Sequence, residues 1–244
     1  MKNNTGKTEI LLINTKTNNR NLKINIIDNG KHKSLKPKPH IKVLGVYLDE
    51  NLNWDKHLRH VKKIATNSIR NLHRVNHLLP IETRIHLYKS LVMPHFDYAD
   101  VIYGGCSKCS SKRLQVSQNF AIRSITGTKK STSPKESFSK LKFLDLENRR
   151  KVHEAVFAHK SVLHKNPETI SLNFIQHCAT SSTRSATQGT LNLPNHKSKK
   201  FQNSPLFRTI TSWNTSPKDI PTHNPKVFKT HFQKNLINEL YGYK

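Results

Sequence analysis

The tetrapeptide Tyr98-Ala99-Asp100-Val101 comes closest to a catalytic pattern in this sequence. Polymerases transfer phosphoryl groups with two carboxylates that hold two divalent cations, one at the attacking hydroxyl and one at the leaving group. Two adjacent aspartates could supply such carboxylates, but Asp100 is followed by Val101, so the second one is not present. We therefore predict no catalytic residue in this chain, and we expect Asp97 and Asp100 to cap a helix or to pair with Arg and Lys.

A second pattern, Gly6-Lys7-Thr8, matches the end of the phosphate-binding loop G-x-x-x-x-G-K-[ST]. The first glycine of that loop would fall on Met1. A helix should follow the loop, whereas the residues after Thr8 have the pattern of a strand. Both departures argue against a nucleotide-binding loop.

Cys106 and Cys109 have the C-x-x-C spacing of zinc ligands, and His177 with Cys178 are remote candidates for the other two ligands. A second C-x-x-C, which would make the pattern specific, does not occur. We predict ordinary thiols and no metal site. An odd number of three cysteines in 244 residues also fits a reducing compartment.

A stripe of cations follows Trp54 on one face of a predicted helix. Residues 51–79 contain six Lys or Arg and a single acid, Asp55. A solvated helix face normally mixes both signs of charge to gain pairs four residues apart. We therefore predict direct contact with nucleic-acid phosphates, although a solvated face remains the alternative. The basic stripe consists of Lys56, Arg59, Lys63, Arg70 and Arg74.

The composition supports a polyanionic partner. Lys and Arg number 42 against 15 Asp and Glu, which gives a net charge of +27 and a pI near 10.2. Such a field attracts nucleic acid, with an anionic membrane surface as the minor competitor. No apolar run approaches the ~20 residues of a membrane span, and the N-terminal residues lack the apolar stretch of a secretory signal. We expect an intracellular protein, nuclear or cytoplasmic, that does not enter a membrane.

The elements that must position these residues change in type near residue 53. Before it, the runs Ile10–Ile13, Leu22–Ile27 and Ile41–Leu48 predict three strands. Asp28-Asn29-Gly30 is a turn signal, because Asn and Gly tolerate positive φ. Three strands are not stable alone, so this sheet needs neighbours.

After residue 53, the hydrophobic period of 3.6 predicts a helix with Asn53 as N-cap and Pro80 as its end. Further helices are predicted over residues 81–93, 110–127, from 134 and over 145–164. Residues 166–224 are rich in Ser, Thr, Asn and Pro, which predicts loops with short strands, and a last helix follows Pro225. The apolar stripe of the first helix comprises Trp54, Leu58, Val61, Ala65, Ser68, Leu72, Val75 and Leu79, and its His57, His60, His73 and His77 are predicted to be solvated or to face phosphate.

Separated motifs along nearly the whole chain resemble one family, the reverse transcriptases of non-LTR (LINE, jockey-type) retrotransposons. The motifs are N-x-x-K-T at Asn4–Thr8, I-K-V-L-G-V-Y-L-D-E-N-L-N-W at Ile41–Trp54, L-V-M-P-H-F-D-Y-A-D-V-I-Y-G-G at Leu91–Gly105, L-Q-V-S-Q-N-F-A-I-R-S-I-T-G at Leu114–Gly127, and W-N at Trp213 followed by F-K-x-x-F at Phe228–Phe232.

The resemblance implies an α+β chain with three parts. Residues 1–50 would be residual palm strands with a primer-grip-like turn, forming a small N-terminal antiparallel β element. Residues 51–165 would be a helical-bundle thumb. Residues 166–244 would be a basic C-terminal extension, mixed and loop-rich, that ends in a helix. Ser216 departs from the Leu-Pro pairing usual in the family.

The resemblance also implies roles and partners. Lys7 would assist near the incoming nucleotide, and Gly45 would let the backbone approach the primer terminus. The parent reaction is RNA-directed DNA synthesis with Mg²⁺, but the fingers and the catalytic Y-A-D-D palm lie outside this sequence. The chain alone is therefore expected to be inactive and to hold no cofactor. Its expected partners are an RNA or DNA template-primer and the missing upstream polymerase half.

Two other functions stay open. The chain could be an independent, non-catalytic nucleic-acid-binding or scaffold protein derived from such an element. It could also be a zinc-stabilised interaction module built on Cys106 and Cys109. An in-frame Y-A-D-D box directly upstream of Met1 would favour a truncated reverse transcriptase, and a promoter there would favour an independent protein.

Overall fold

The computed structural model shows a chain of two compact units, residues 1–61 and 62–244. The first unit is built from β-hairpins and the second from helices, so the fold is α+β with a small N-terminal β element and a helical bundle. The structure describes residues 7–13, 23–28, 31–163, 168–178, 190–217 and 224–242.

The first unit contains two separate antiparallel hairpins. Strand β1 (Ile24–Asp28) pairs with β2 (Lys31–Leu35), and Asp28 lies opposite Lys31. Strand β3 (His40–Val43) pairs with β4 (Val46–Asp49), and His40 lies opposite Asp49. The two hairpins form two two-stranded sheets rather than one shared sheet.

The strand predictions for this unit were partly wrong. Ile41–Leu48 is not one strand, because Leu44 and Gly45 take φ of +46° and +85° and reverse the chain between β3 and β4. Two adjacent residues at positive φ form the type I′ turn that matches the twist of a hairpin. Residues 10–13 are described but form no strand. The alternating strand around Ile24 and Ile26 is confirmed as β1, while the predicted turn residues Asn29 and Gly30 lie outside the described residues.

The first helix, α1 (Asp55–Val75), begins next to the carboxylate of Asp49. That carboxylate accepts hydrogen bonds from the backbone N–H groups of Asn51 and Asn53 at 3.0 Å and of Trp54 at 2.8 Å. The prediction of Asn53 as N-cap was therefore wrong, since Asn53 donates to Asp49 and the helix starts two residues later. The acid that ends β4 thus fixes the start of α1.

The bundle of the second unit consists of helices connected by short turns. The helices Lys108–Thr126 and Leu146–Leu163 match their predicted positions within two residues, and Gly127 ends the first of them at φ +68° as predicted. Helix α1 is shorter than predicted, because it ends at Val75 and not at Pro80. A short 3₁₀ turn, Asn76–Leu78, follows α1 before Pro80. The remaining helices are α2 (Ile81–Leu91), α3 (Met93–Asp97), α4 (Asp100–Tyr103), α5 (Lys108–Thr126), α6 (Pro134–Leu141), α7 (Leu146–Leu163), α8 (Glu168–Cys178), α9 (Lys199–Gln202), α10 (Pro205–Asn214) and α11 (Pro225–Tyr241).

Short strands were predicted before Pro225, and this was wrong for the described residues, where α8, α9 and α10 are helices. The residues that suggested loops instead begin helices. The side chain of Ser198 accepts from the N–H of Phe201, and that of Ser204 accepts from the N–H of Phe207, both at 3.3 Å. Pro205 then occupies the first turn of α10. Ser and Pro at these positions favour a helix start rather than a loop.

A core cluster of the bundle forms around α7, α10 and α11. The Phe228 ring packs 4.6 Å from that of His159 and 5.8 Å from that of Trp213, centroid to centroid. Burial of apolar surface is the main favourable contribution to folding, so this cluster is expected to contribute strongly to the stability of the bundle. The cluster comprises Leu144, Val152, Ala155, Ala158, Phe174, Leu191, Ile210, Trp213, Phe228, Phe232 and Ile237.

None of the helices in the described part of the chain is both long enough and apolar enough to cross a membrane.

Candidate nucleic-acid interface

The basic stripe lies on α1, opposite its buried face. Within the first unit, Arg59 is exposed and Lys56 is half-buried. Within the second, Lys63, Arg70 and Arg74 are all exposed, at spacings of seven and four residues that keep them on one helix face. No carboxylate among the described residues lies within ion-pair distance of these last three. They therefore present uncompensated positive charge over about 16 Å of helix.

The buried face of α1 follows the predicted stripe with two differences. Ile69 is fully buried although the sequence pattern did not include it, while Ser68 is only half-buried. Val75 is 41% exposed, because the α-helix ends there and a 3₁₀ turn follows. Leu72 and Ala65 are buried as predicted.

Polar contacts hold the second half of α1 beside α5 and leave the cations outside. Nδ1 of His73 lies 2.7 Å from Oγ of Ser124. Nδ2 of Asn76 donates to the Ser124 carbonyl at 2.7 Å. The rings of His73 and Phe120 lie 5.3 Å apart, and Phe120 stays 40% exposed. The helix face that carries Arg70 and Arg74 is thereby fixed in orientation, and an aromatic pair lies beside its C-terminal end.

In the first unit, Lys56 is engaged by its own hairpin. Its Nζ contacts Nε2 of His40 and lies 5.1 Å from the centre of the Tyr47 ring. Lys42 approaches the same ring at 5.4 Å. Cation–π contacts of this kind fix the lysine chain but leave its charge in place. Lys56 is consequently the member of the stripe with the strongest contacts inside its unit.

His57 and His60 differ from the predicted solvated side chains. His57 is buried, and its Nδ1 accepts from the N–H of Tyr47 at 3.5 Å. Burial lowers the pKa of His57, and the neighbouring His60 lowers it further. The ring of His60 packs edge-on against Tyr47 at 5.2 Å. Both histidines therefore support the hairpin–helix junction, and the apolar and polar pattern of α1 gave no sign of this.

The two remaining predicted site residues belong to the first unit. Lys7 is exposed. Gly45 is exposed in the β3–β4 turn beside Leu44, whose side chain is 85% exposed. Gly45 has a φ of +85°, which glycine adopts without steric cost, and its role near a primer terminus stays a prediction.

Asp97 and Asp100 are committed to partners on α7. Arg149 donates to both carboxylate oxygens of Asp97, at 2.5 and 2.6 Å. Nδ1 of His153 lies 2.6 Å from Oδ2 of buried Asp100. Between them the chain bends at Ala99, which has a φ of +57°. The prediction that these acids make ion pairs is confirmed for Asp97, while Asp100 pairs with a histidine rather than with Arg or Lys.

One group of side chains has the composition of a metal site. Carboxylate oxygens of Asp97 and Asp100 and a ring nitrogen of His153 lie within 4.8 Å of one another. Because Arg149 occupies both oxygens of Asp97, the group is already satisfied by protein partners. Cys106 and Cys109 are thiols, and within the described residues no third ligand atom completes a group with them. The side chains of the remote candidates His177 and Cys178 lie outside the described residues.

Sequence reasoning missed the contacts of the two glycines that follow α4. A Cβ on Gly105 would lie 1.9 Å from the carbonyl oxygen of Asn203, and one on Gly104 would lie 2.5 Å from Nη2 of Arg208. Arg208 in turn donates to the Val101 carbonyl at 2.5 Å. The motif that ends in Gly104-Gly105 therefore packs α4 tightly against the start of α10. The adjacent glycines were the available signal, since a close backbone approach requires the smallest residue.

Comparison with known proteins gives no relative: no protein family, no curated protein and no solved structure matches the chain.

Proposed function

We propose that this chain binds the phosphate backbone of nucleic acid through the exposed face of α1. The observation that carries the proposal is the row of Lys63, Arg70 and Arg74, exposed on one helix face and free of carboxylate partners among the described residues. A duplex carries one negative charge per ~1.7 Å of axis, so a 16 Å row meets several phosphates.

Supporting evidence comes from the geometry around the row. His73 and Asn76 hold α1 against α5 through Ser124, so the cations project from a fixed helix. Fixed cations cost less conformational entropy on binding than cations on a mobile loop. The net charge of +27 adds a long-range attraction for the same partner.

The family resemblance extends this proposal. We infer a C-terminal portion of a non-LTR retrotransposon reverse transcriptase, whose bundle grips a template-primer and whose Lys7 and Gly45 face the reaction centre. The full enzyme would use Mg²⁺ held by its upstream palm. Either the nucleus or the cytoplasm suits such a chain. An independent nucleic-acid-binding protein derived from such an element would use the same face of α1. The same binding experiment therefore tests both proposed functions.

The test is the salt dependence of binding. Fluorescence anisotropy with labelled duplex DNA, an RNA–DNA hybrid and single-stranded RNA should show log K falling with log salt, by roughly 0.9 per phosphate contact on duplex DNA. Exchanging Lys63→Gln together with Arg70→Gln should flatten the slope by about two contacts' worth, because each cation releases its own counterion. Base sequence should matter little.

The matched control is Lys197→Gln with Lys199→Gln, which removes the same charge from exposed positions at the start of α9. If this control flattens the slope and the α1 pair does not, the α1 face is a solvated surface and the proposal fails. Far-ultraviolet circular dichroism should show unchanged helicity in both variants, since all four side chains are exposed.

A further inference from the structure

A cleft of about 720 Å³ lies in the second unit between α5, α7 and the α9–α10 segment. This volume is within the range of roughly 300–1,000 Å³ found for small-ligand sites. Five Lys or Arg residues and three carboxylates line it, and none of them belongs to α1. The cleft is therefore a second cationic feature, separate from the basic stripe.

The three carboxylates of the cleft already have partners. Glu154 accepts from Nε and Nη2 of Arg208 at 2.9 and 2.6 Å and from Oγ of Ser212 at 2.6 Å. Asp145 accepts from the backbone N–H of Asn148 at 2.8 Å, at the start of α7. Glu147 lies 3.9 Å from Lys151 on the exposed surface. Glu154 and Glu147 therefore pair with Arg208 and Lys151, Asp145 caps α7, and the five cations and three acids together give the cleft a net charge of +2.

Arg150 is a buried cation that lines the cleft and has no direct ion-pair partner among the described residues. Its side chain is 7% exposed, and within the described residues it makes no ion pair or hydrogen bond. Its guanidinium lies 5.8 Å from the centre of the Tyr103 ring. An arginine keeps its charge in proteins, and a buried charge without a counter-charge destabilises the fold. An anion in the cleft would remove this cost.

Two further features suit an anion at Arg150. Gly104 leaves room for the arginine, since a Cβ there would lie 2.7 Å from Cδ of Arg150. Lys108 and Lys112, one turn apart on α5, are exposed residues that line the same cleft. Phe207 adds an aromatic wall. A planar guanidinium binds phosphate oxygens in pairs, and lysines add charge without fixed geometry.

We propose that this cleft binds the phosphate group of a nucleotide, with Arg150 as its buried partner, Lys108 and Lys112 at the rim and Phe207 beside the base. The phosphate can belong to a free nucleoside monophosphate or to the 5′ end of a nucleic-acid strand, because both present the same dianion. The proposal does not depend on the α1 interface.

The test measures ligand-induced stabilisation of the full chain at constant ionic strength. Adenosine monophosphate should raise Tm saturably, inorganic phosphate should do so more weakly, and adenosine should have little effect, because a ligand that binds only the folded state stabilises it. Lys108→Gln with Lys112→Gln should raise Kd on the order of tenfold, as expected for the loss of charge-assisted contacts. Arg150→Met should abolish the response.

Lys63→Gln with Arg70→Gln is the control, and it should leave the monophosphate response unchanged even if it weakens duplex binding. Equal stabilisation of the wild type and the Lys108/Lys112 variant would overturn the proposal, as would no saturable shift up to millimolar ligand. Because the lysines are exposed, this variant folds even if Arg150→Met does not. A 5′-phosphorylated oligonucleotide that outcompetes its 5′-hydroxyl form in the wild type alone would identify the strand end as the source.

Discussion

Arg208 on α10 and Glu154 on α7 form a two-hydrogen-bond ion pair, at 2.9 and 2.6 Å, between residues 54 positions apart. Both side chains are mostly buried, with 15% and 6% exposed. Arg208 also donates to the carbonyls of Val101 and Asn203, so one guanidinium joins α4, α7 and the start of α10. The pair therefore connects the segment after Pro94 to the C-terminal helices.

The first prediction concerns this pair. Glu154→Gln should lower the free energy of unfolding by about 3–5 kcal/mol, because it leaves Arg208 buried without its counter-charge. Urea denaturation followed by circular dichroism measures the change. Lys151→Ala, which removes the exposed pair with Glu147, is the control and should cost no more than about 0.5 kcal/mol. An equal loss of unfolding free energy in the two variants would contradict a larger contribution from the buried pair.

The second prediction concerns Gly105. Gly105→Ala should destabilise the bundle by about 1–3 kcal/mol or more, because the new Cβ would lie 1.9 Å from the Asn203 backbone oxygen and the backbone must move. Gly127→Ala is the matched control, since its Cβ meets nothing within 4 Å although its φ is +68°. That strain alone costs about 1 kcal/mol. Thermal denaturation of both variants compares steric and conformational costs, and a larger loss at Gly127 would contradict the tight α4–α10 contact.

Sequence patterns predicted the long helices because each carries a hydrophobic period of 3.6 and clear end signals, such as Gly127 after α5. The sequence predictions failed where the same residue types are compatible with two kinds of local structure. Ser204-Pro205 indicates a loop by composition and a helix start by capping, and α10 shows that capping decided. They also failed for contacts between distant residues. Nothing in the spacing of Asp97 and Arg149 indicates that they pair, because the packing of α3 on α7 brings them together.

The third prediction concerns pH and the first unit. Burial and the neighbouring His60 lower the pKa of His57 below its ordinary value of 6.5, so the folded state disfavours the proton. Above about pH 7 the ring is neutral in both states, and its contribution does not vary with pH. Below about 6.5 the unfolded state binds a proton that the folded state resists, so the stability of this unit should fall as the solution is acidified.

Nuclear magnetic resonance titration of the His57 ring would give its pKa directly. Urea denaturation at several pH values should show a smaller loss of stability between pH 7 and pH 5 in His57→Gln than in the wild type. A His57 pKa at or above 6.5 would contradict the burial argument.

The fourth prediction concerns zinc. If Cys106 and Cys109 are ordinary thiols, elemental analysis of the purified chain should find no stoichiometric zinc, and a chelator should leave its Tm unchanged. A structural zinc would contribute to folding directly, so its removal would unfold the region around α5. Cys109→Ser, at an exposed position, should then be close to neutral. A finding of one zinc per chain that is lost in Cys109→Ser would instead support the hypothesis of a zinc-stabilised interaction module.

The last prediction separates structure from catalysis at Asp100. Purified chain should show no Mg²⁺-dependent primer extension, because two-metal chemistry needs a pair of available carboxylates and those of Asp97 and Asp100 are bonded to Arg149 and His153. Asp100→Asn, which keeps the shape of the side chain but removes its charge, should lower Tm by weakening the contact with His153. If the upstream polymerase half is supplied in trans, the same variant should keep the primer-extension rate per folded molecule. A catalytic role would give the opposite result: Tm would stay nearly constant, and the extension rate would fall by orders of magnitude.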